Sequence, residues 1–108
     1  MQRYKKNNFE DIKKEIFSFL LKIPNGKIVT YKMLGDIFHL HPRVIGKILA
    51  SNKHPEIYPC YKVVKSDSSL GGYNIGIKEK IRKLKKEGIE VDEKKRRIKN
   101  LKNYLYFA

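Results

Sequence analysis

The chain has 108 residues, 41% of them hydrophobic, and its 25 Lys and Arg residues against 11 Asp and Glu residues give a net charge of +14. This length predicts a single domain over residues 1–108, and the charge predicts an anionic partner, with a solvated basic surface as the simpler alternative. No apolar run approaches the roughly 20 residues of a membrane span and no signal core follows Met1–Lys6, so we expect no membrane contact and a cytoplasmic location, or a nuclear one in a eukaryote.

The first predicted element is an amphipathic helix from Phe9 to Ile23. Its apolar residues recur at three- and four-residue steps, with charged residues between them. These residues are Phe9, Ile12, Ile16, Phe19, Leu20 and Ile23. The segment Pro24-Asn25-Gly26 is expected to end the helix in a turn, and residues 27–29 favour a short β segment.

Two short helices joined by a tight turn are predicted next, and together they form a helix-turn-helix. Thr30 is placed to cap the N-terminus of the first helix. The residues expected to face inward on this helix are Met33, Leu34, Ile37 and Phe38. A break at residues 39–42 follows, and Pro42 suits the first turn of the second helix, which carries Arg43 and runs to Ser51-Asn52.

The remaining chain predicts a strand or extended segment at residues 61–65 and a flexible polar loop at residues 66–72. A basic helix from Ile77 to Glu87 is expected to close at Gly88. The tail predicts a charged turn at residues 92–97 and an apolar end that packs on the core. The residues of this end are Leu101, Tyr104, Leu105 and Phe107. The predicted fold class is therefore mainly α: one winged-helix-like domain with a helix-turn-helix and a short extended element around Cys60.

Cys60 is the only cysteine, and it lies in Pro59-Cys60-Tyr61-Lys62-Val63-Val64. A thiol reacts as its thiolate, so a nucleophilic cysteine needs cationic neighbours, a helix N-terminus or a paired base. Lys62 favours this role, whereas the alternative is a small buried hydrophobic residue. One cysteine cannot form an internal disulfide, and the three histidines do not have the spacing of zinc ligands. We therefore expect neither a disulfide nor a metal site.

Several motifs occur together and in order along the chain. They are Ile23-Pro24-Asn25-Gly26 with Thr30-Tyr31, Arg43-Val44-Ile45-Gly46 with Asn52, the Pro-Cys segment, and Gly71-Gly72-Tyr73 with Gly76, Lys80 and Glu87-Gly88. This set resembles the O6-alkylguanine-DNA alkyltransferases, suicide repair proteins whose Pro-Cys-His-Arg-Val-Val cysteine takes an alkyl group from damaged guanine. The resemblance covers their C-terminal, active-site domain. The non-enzymatic alkyltransferase-like proteins share this architecture, but they typically carry Trp where this chain has Cys60.

The resemblance implies a catalytic set formed by Cys60, Tyr61, Glu87 and Asn52. Asn52 corresponds to the hinge asparagine that ties the recognition helix to the cysteine turn. Tyr61 stands where the family has the His that relays the thiol proton through water to a buried Glu, here Glu87. Because only about one phenol in a thousand is ionised at pH 7, three interpretations stay open: a relay through Tyr61, a relay that needs an additional water, or no relay, with Lys62 stabilising the thiolate. Glu87 has a plainer alternative as a surface partner of Lys83.

The resemblance also implies DNA contacts by Tyr31, Arg43, Gly46, Lys62 and Ser66, and contacts to the flipped guanine by Tyr73 and Asn74. Arg43 would enter the base stack from the minor groove in place of the extruded nucleotide. Tyr31 would press on the target phosphate, and Asn74 stands where the family usually has Ser. The plainer alternatives are half-buried aromatic residues and exposed charges. The lysines of the basic helix, Lys80 among them, and of the charged tail would supply non-specific phosphate affinity at most.

The implied function is DNA repair by a monomer that binds double-stranded DNA containing O6-alkylguanine, flips the base and transfers the alkyl group irreversibly to Cys60. Such a methylated-DNA-[protein]-cysteine S-methyltransferase needs no cofactor. A rival from another class is a lesion-binding module that recruits other repair factors, which the replacement of His by Tyr61 favours. A third possibility, a helix-turn-helix regulator that reads the major groove, is disfavoured by the Pro-Cys block.

Overall fold

The first helix packs against the helix-turn-helix through one apolar face. The computed structural model describes residues 9–107, so Met1–Lys6, where the sequence shows no signal core, lies outside the described residues. Helix α1, Phe9–Leu20, buries every fourth residue at Ile12, Ile16 and Leu20. The predicted helix is three residues longer, because the N–H groups of residues 21–23 bond to carbonyls three residues back in a tighter turn.

The helix-turn-helix consists of α2, Tyr31–Phe38, and α3, Pro42–Ala50. The predicted cap is confirmed, since the Thr30 hydroxyl oxygen accepts a hydrogen bond from the Met33 N–H at 3.0 Å. Pro42 is the first residue of α3, as predicted. The prediction for Ile37 was wrong, because Leu34 and Phe38 fill the inner face of this short helix and leave Ile37 40% exposed.

Two short strands place the cysteine segment beside the helix-turn-helix. Strand β1, Val29–Thr30, pairs in parallel with β2, Val63–Val64, so the predicted β segments are confirmed and are partners. The crossover between the strands contains α2 and α3. Residues 60–62 form a single 3₁₀ turn that leads directly into β2. The strand pair therefore fixes where Cys60 lies relative to the start of α2.

The C-terminal third contains α4, Ile77–Lys86, which ends at Gly88 with a positive φ of 87°, as expected for the predicted cap. The predicted charged turn is the tip of a hairpin, in which β3, Val91–Asp92, pairs antiparallel with β4, Arg97–Ile98. Strands of two residues are too short to show alternation in the sequence. This hairpin supplies the wing of the winged-helix-like fold.

The core that the described residues build has two clusters. One lies between α1, α2 and α3 and includes Cys60, and the other lies under α4 and the hairpin. Leu101 and Tyr104 pack on the second cluster, as predicted for the tail. The prediction for Phe107 was wrong, because it lies 74% exposed, beyond the last backbone contacts of the tail. The predicted fold class is confirmed. Within residues 9–107 no helix is long and apolar enough to cross a membrane.

Candidate active site

A groove of about 890 Å³ lies between the helix-turn-helix and the loops that follow β2. It brings together seven of the residues that the sequence singled out. They are Tyr31, Arg43, Gly46, Cys60, Ser66, Tyr73 and Asn74. Its walls come from α2 and α3 on one side and from residues 65–67 and 71–74 on the other. Four of the five sequence-predicted DNA contacts, all except Lys62, thus share one concave surface with the cysteine.

Cys60 is 5% exposed and begins the 3₁₀ turn. The buried Asn52 amide nitrogen donates to the Tyr58 carbonyl at 3.0 Å and lies 3.4 Å from the Cys60 Sγ. The Asn52 backbone carbonyl in turn accepts a hydrogen bond from the Asn74 side-chain amide at 2.7 Å. Asn52 therefore links the end of α3, the cysteine turn and the loop at residue 74, and it directs an N–H group at the sulfur.

Tyr61, Glu87 and Lys62 form a network behind the cysteine. The Tyr61 hydroxyl donates a short hydrogen bond to Glu87 Oε2. Glu87 Oε1 accepts the Gly26 N–H at 2.8 Å and pairs with Lys62 Nζ at 2.9 Å. Burial raises the pKa of Glu87, but the hydrogen bonds from Tyr61, Gly26 and Lys62 outweigh it and hold this pKa below its usual value. Burial and the bond to Glu87 raise the pKa of Tyr61.

These shifts keep the Tyr61 phenol neutral and the Glu87 carboxylate charged. The alternative pairing of Glu87 with Lys83 is wrong, since the Lys83 ammonium lies 5.4 Å from the centre of the Tyr61 ring. Glu87 already accepts three donors, so the network favours a permanent anion over a carboxylate ready to take a proton.

The prediction of Lys62 as a DNA contact was wrong. Its side chain is buried, and its ammonium also donates to the carbonyls of Ile23 and Pro24, at 3.3 and 2.7 Å. The ammonium faces the protein interior, where Glu87 balances its charge. Its capacity to stabilise a thiolate is correspondingly reduced.

Arg43 is exposed at the edge of the groove, at the start of α3. Its N–H donates to His41 Nδ1 at 3.0 Å, so His41 caps the recognition helix. Sequence reasoning missed this cap, although a polar residue directly before Pro42 is a signal for one. Gly46 faces the Tyr31 ring, and a side chain there would narrow the space between α3 and that ring.

Gly71 lets the Tyr31 ring lie against the backbone of the opposite wall. A β-carbon at Gly71 would lie 2.9 Å from the Tyr31 hydroxyl, and its φ of +74° also favours glycine. Tyr31 is therefore wedged between the two walls. Ser66 lies exposed on the rim of the groove.

Tyr73 presents a hydroxyl that is buried and, among the described residues, has no hydrogen-bond partner. Burial raises the pKa of Tyr73 to about 12, with further contributions from Cys60 and Glu79, so the hydroxyl is a neutral donor. An unpaired buried hydroxyl is costly unless a ligand completes its hydrogen bonding. Tyr73 and Cys60 both line the groove.

The expectation that Lys80 belongs to a phosphate-binding surface was also wrong. It is fully buried, and its ammonium donates to the carbonyls of Val63, Leu70 and Gly72 at 2.8, 2.5 and 3.1 Å. The sequence contains a signal for this burial. Residues 77, 80, 81 and 84 follow the spacing of one helix face, and the other three are apolar.

The second helix of the helix-turn-helix borders the groove that contains Cys60. This arrangement defines a DNA-binding domain that carries a thiol at its binding surface. A family model described as the DNA-binding domain of 6-O-methylguanine DNA methyltransferase matches residues 11–89. The chain belongs to this family.

Relatives of known name agree with this assignment. A methylated-DNA–protein-cysteine methyltransferase of Pyrobaculum aerophilum is 43% identical over 81 residues, 75% of this chain and 54% of the relative. A bifunctional methyltransferase/endonuclease of Picrophilus torridus is 44% identical over 86 residues, 76% of this chain and 28% of the relative. The chain thus spans about half the length of the first relative and a smaller part of the second.

Solved structures share the fold. The O6-methylguanine-DNA methyltransferase of Pyrococcus kodakaraensis has a TM-score of 0.67 and 32% identity, covering 71% of this chain and 46% of that one. Schizosaccharomyces pombe Atl1, in complex with damaged DNA containing O6-carboxymethylguanine, has a TM-score of 0.79 at 19% identity, covering 92% of this chain and 97% of that one. The second likeness shows the fold alone.

Proposed function

We propose that this protein repairs DNA by transferring the alkyl group of an O6-alkylguanine irreversibly to Cys60. The observation that carries the proposal is that Cys60 lines one groove with Tyr73 and the recognition helix, and that the buried Tyr73 hydroxyl has no hydrogen-bond partner among the described residues. The similarity to relatives that are named methyltransferases supports the proposal further. Since one thiol accepts one alkyl group, each molecule would react once, and no cofactor takes part.

The chemistry is a displacement at the alkyl carbon. The Cys60 thiolate sulfur forms a bond to this carbon while the carbon–O6 bond breaks, and the electron pair of that bond goes to O6. The neutral Tyr73 hydroxyl donates a hydrogen bond to the base as negative charge develops. The leaving guanine then takes one proton from solvent, which balances the proton that the thiol released.

The groove requires the damaged base to leave the duplex, because the buried Cys60 cannot reach an atom inside the base stack. We assign Arg43 to fill the space that the flipped nucleotide leaves, since it is exposed at the N-terminal end of α3. Tyr31 and Ser66, on opposite walls, would hold the backbone of the flipped strand. The net charge of +14 supplies attraction to duplex DNA. We further propose that the chain acts as a single-domain monomer in the compartment that holds the DNA.

A second candidate function is binding of the lesion without transfer, followed by recruitment of other repair factors. The observation that favours it is the network behind Cys60, where the Tyr61 phenol replaces an imidazole base and the Glu87 charge is already balanced by Lys62. In this case the groove would still hold the alkylated base, but the thiol would stay unreacted.

Mass spectrometry of the intact protein after incubation with an O6-methylguanine duplex separates the two candidates. Transfer adds the mass of one CH₂ group, and peptide mapping should place it on Cys60. The variant Cys60→Ser is the control, expected to bind the lesion without gaining mass. A protein that binds the lesion tightly with no change of mass would support the second candidate. A protein with no preference for the lesion would contradict both.

A further inference from the structure

The hairpin formed by β3 and β4 carries a run of cations to which the proposed function gives no place. This basic tip consists of four exposed residues, Lys94, Lys95, Arg96 and Arg97. It lies beyond the match to the family model, which ends at residue 89. From the sequence these residues are expected to supply non-specific phosphate affinity at most, but the structure holds them in one position beside the groove.

The hairpin is hydrogen-bonded to the loop at residues 67–70, which joins the two segments of the groove wall opposite α3. The Leu70 N–H donates to the Arg96 carbonyl at 3.0 Å. The Arg97 guanidinium donates to the carbonyl of Asp67 at 2.5 Å, and Asp67 itself lines the groove. No residue of the hairpin lines the groove. The basic tip therefore lies outside the groove and beside this wall.

Most of the positive charge of the basic tip is not balanced within residues 9–107. Apart from Arg97, the tip side chains form neither a hydrogen bond nor an ion pair in this part of the chain. The two acids of the hairpin have other partners. Asp92 accepts the backbone N–H of Lys95 at 3.0 Å, and Glu93 pairs with Lys85 of α4 at 2.5 Å. The acids thus shape and anchor the hairpin, and the cations face solvent.

The composition of the basic tip favours a polyanion over a membrane surface. The turn at residues 92–97 contains no apolar residue that could enter a lipid bilayer. Arg96 has a positive φ of 52°, in the left-handed region where a turn usually carries glycine or asparagine. A long cationic side chain at this position adds charge where the backbone itself favours glycine.

We propose that the basic tip is a second DNA-contacting surface, which binds the phosphate backbone of the duplex on the side of the groove opposite α3. A duplex that presents a base to Cys60 extends across the groove, and its backbone then meets the hairpin beside the far wall. Because the hairpin is bonded to the loop at residues 67–70, a phosphate held at the tip fixes the duplex relative to that wall. The proposal rests on the proposed DNA binding but not on alkyl transfer.

The test compares the salt dependence of binding to an undamaged duplex, measured by fluorescence anisotropy, for two triple variants. The hairpin variant combines Lys94→Gln, Lys95→Gln and Arg96→Gly. The control variant combines three exposed lysines away from the groove and the hairpin, Lys14→Gln, Lys22→Gln and Lys102→Gln. Each variant lowers the net charge of +14 by three, so a difference between them reports position and not total charge.

In the hairpin variant the slope of log affinity against log salt should become shallower by about two to three, since each phosphate contact contributes about 0.9. The control variant should change this slope by less than about 0.5. The single variant Arg96→Gly, which suits the left-handed backbone, should make the slope shallower by about one and serves where the triple variant does not fold.

Neutral methylphosphonate linkages, placed one at a time along the duplex, locate the contact. At the phosphates that the tip binds, the neutral linkage should weaken binding of the unaltered protein and of the control variant but not of the hairpin variant. Equal slopes for the two triple variants, or identical linkage patterns, would overturn this proposal alone. An unaltered protein that binds neither an undamaged nor an O6-methylguanine duplex would overturn the proposed function as well.

Discussion

Tyr61→Phe separates a structural role of the Tyr61 hydroxyl from a role in proton transfer. The substitution removes one oxygen atom, and with it the hydrogen bond to Glu87 Oε2. The other oxygen of Glu87 keeps its bonds to Gly26 and Lys62. The carboxylate therefore stays charged and stays in place, but it has one donor fewer.

The expected loss of stability follows from the kind of bond removed. A hydrogen bond to a charged group contributes about 1.5–3 kcal/mol, and the partial exposure of Tyr61 lets water replace some of it, so about 1–2 kcal/mol should be lost. For a domain of this size that corresponds to a fall in Tm of roughly 4–16 °C. The transfer rate should change by less than about threefold, because the raised pKa of Tyr61 leaves fewer than about one phenol in a thousand ionised at pH 7.

Urea denaturation and single-turnover methyl transfer between about pH 6 and 9 measure the two effects on the same protein. Tyr73→Phe is the matched control, since it removes a hydroxyl that has no hydrogen-bond partner within residues 9–107. It should leave stability unchanged or raise it, and slow transfer at least about tenfold through loss of a donor to the leaving base. A Tyr61→Phe variant that is as stable as the unaltered protein but transfers about a hundredfold more slowly would refute this reasoning. The hydroxyl would then belong to the proton path.

Three further outcomes are expected. Tyr61→His should speed single-turnover transfer at pH 7, because imidazole can hold the thiol proton; an unchanged rate would mean that Glu87 does not orient the ring. Arg43→Ala should slow transfer from duplex DNA at least about tenfold but leave transfer from free O6-benzylguanine unchanged, and equal losses would make Arg43 structural. The pKa of Glu87 is lower in the folded protein than its ordinary value of 4.5. The stability that the ionised Glu87 carboxylate contributes is therefore present above pH 4.5 and is lost as the pH falls through the folded pKa. Urea midpoints of the unaltered protein should therefore fall on acidification more steeply than those of Glu87→Gln, and parallel profiles would contradict the shift.

The sequence by itself determined the local structure. Helix positions follow from apolar spacing, and the ends of α2, α3 and α4 follow from Thr30, Pro42 and Gly88. These features could be predicted because periodicity and capping involve neighbours within about four residues along the chain. The order of the motifs likewise indicated the family, which the match to residues 11–89 confirms.

Only the tertiary structure decided which polar side chains are buried and with what partner. Glu87 bonds to Gly26 across 61 residues, and Lys80 bonds to Val63 across 17. In the sequence Lys62 resembles the many exposed lysines, because charge and composition carry no information about distant carbonyls or carboxylates. The helix-face spacing of Lys80 indicates its burial but not its partners. A buried ammonium needs its partners to surround it in three dimensions. Those partners come together only once the parallel strand pair and α4 have brought the Cys60 turn and the Tyr73 loop side by side.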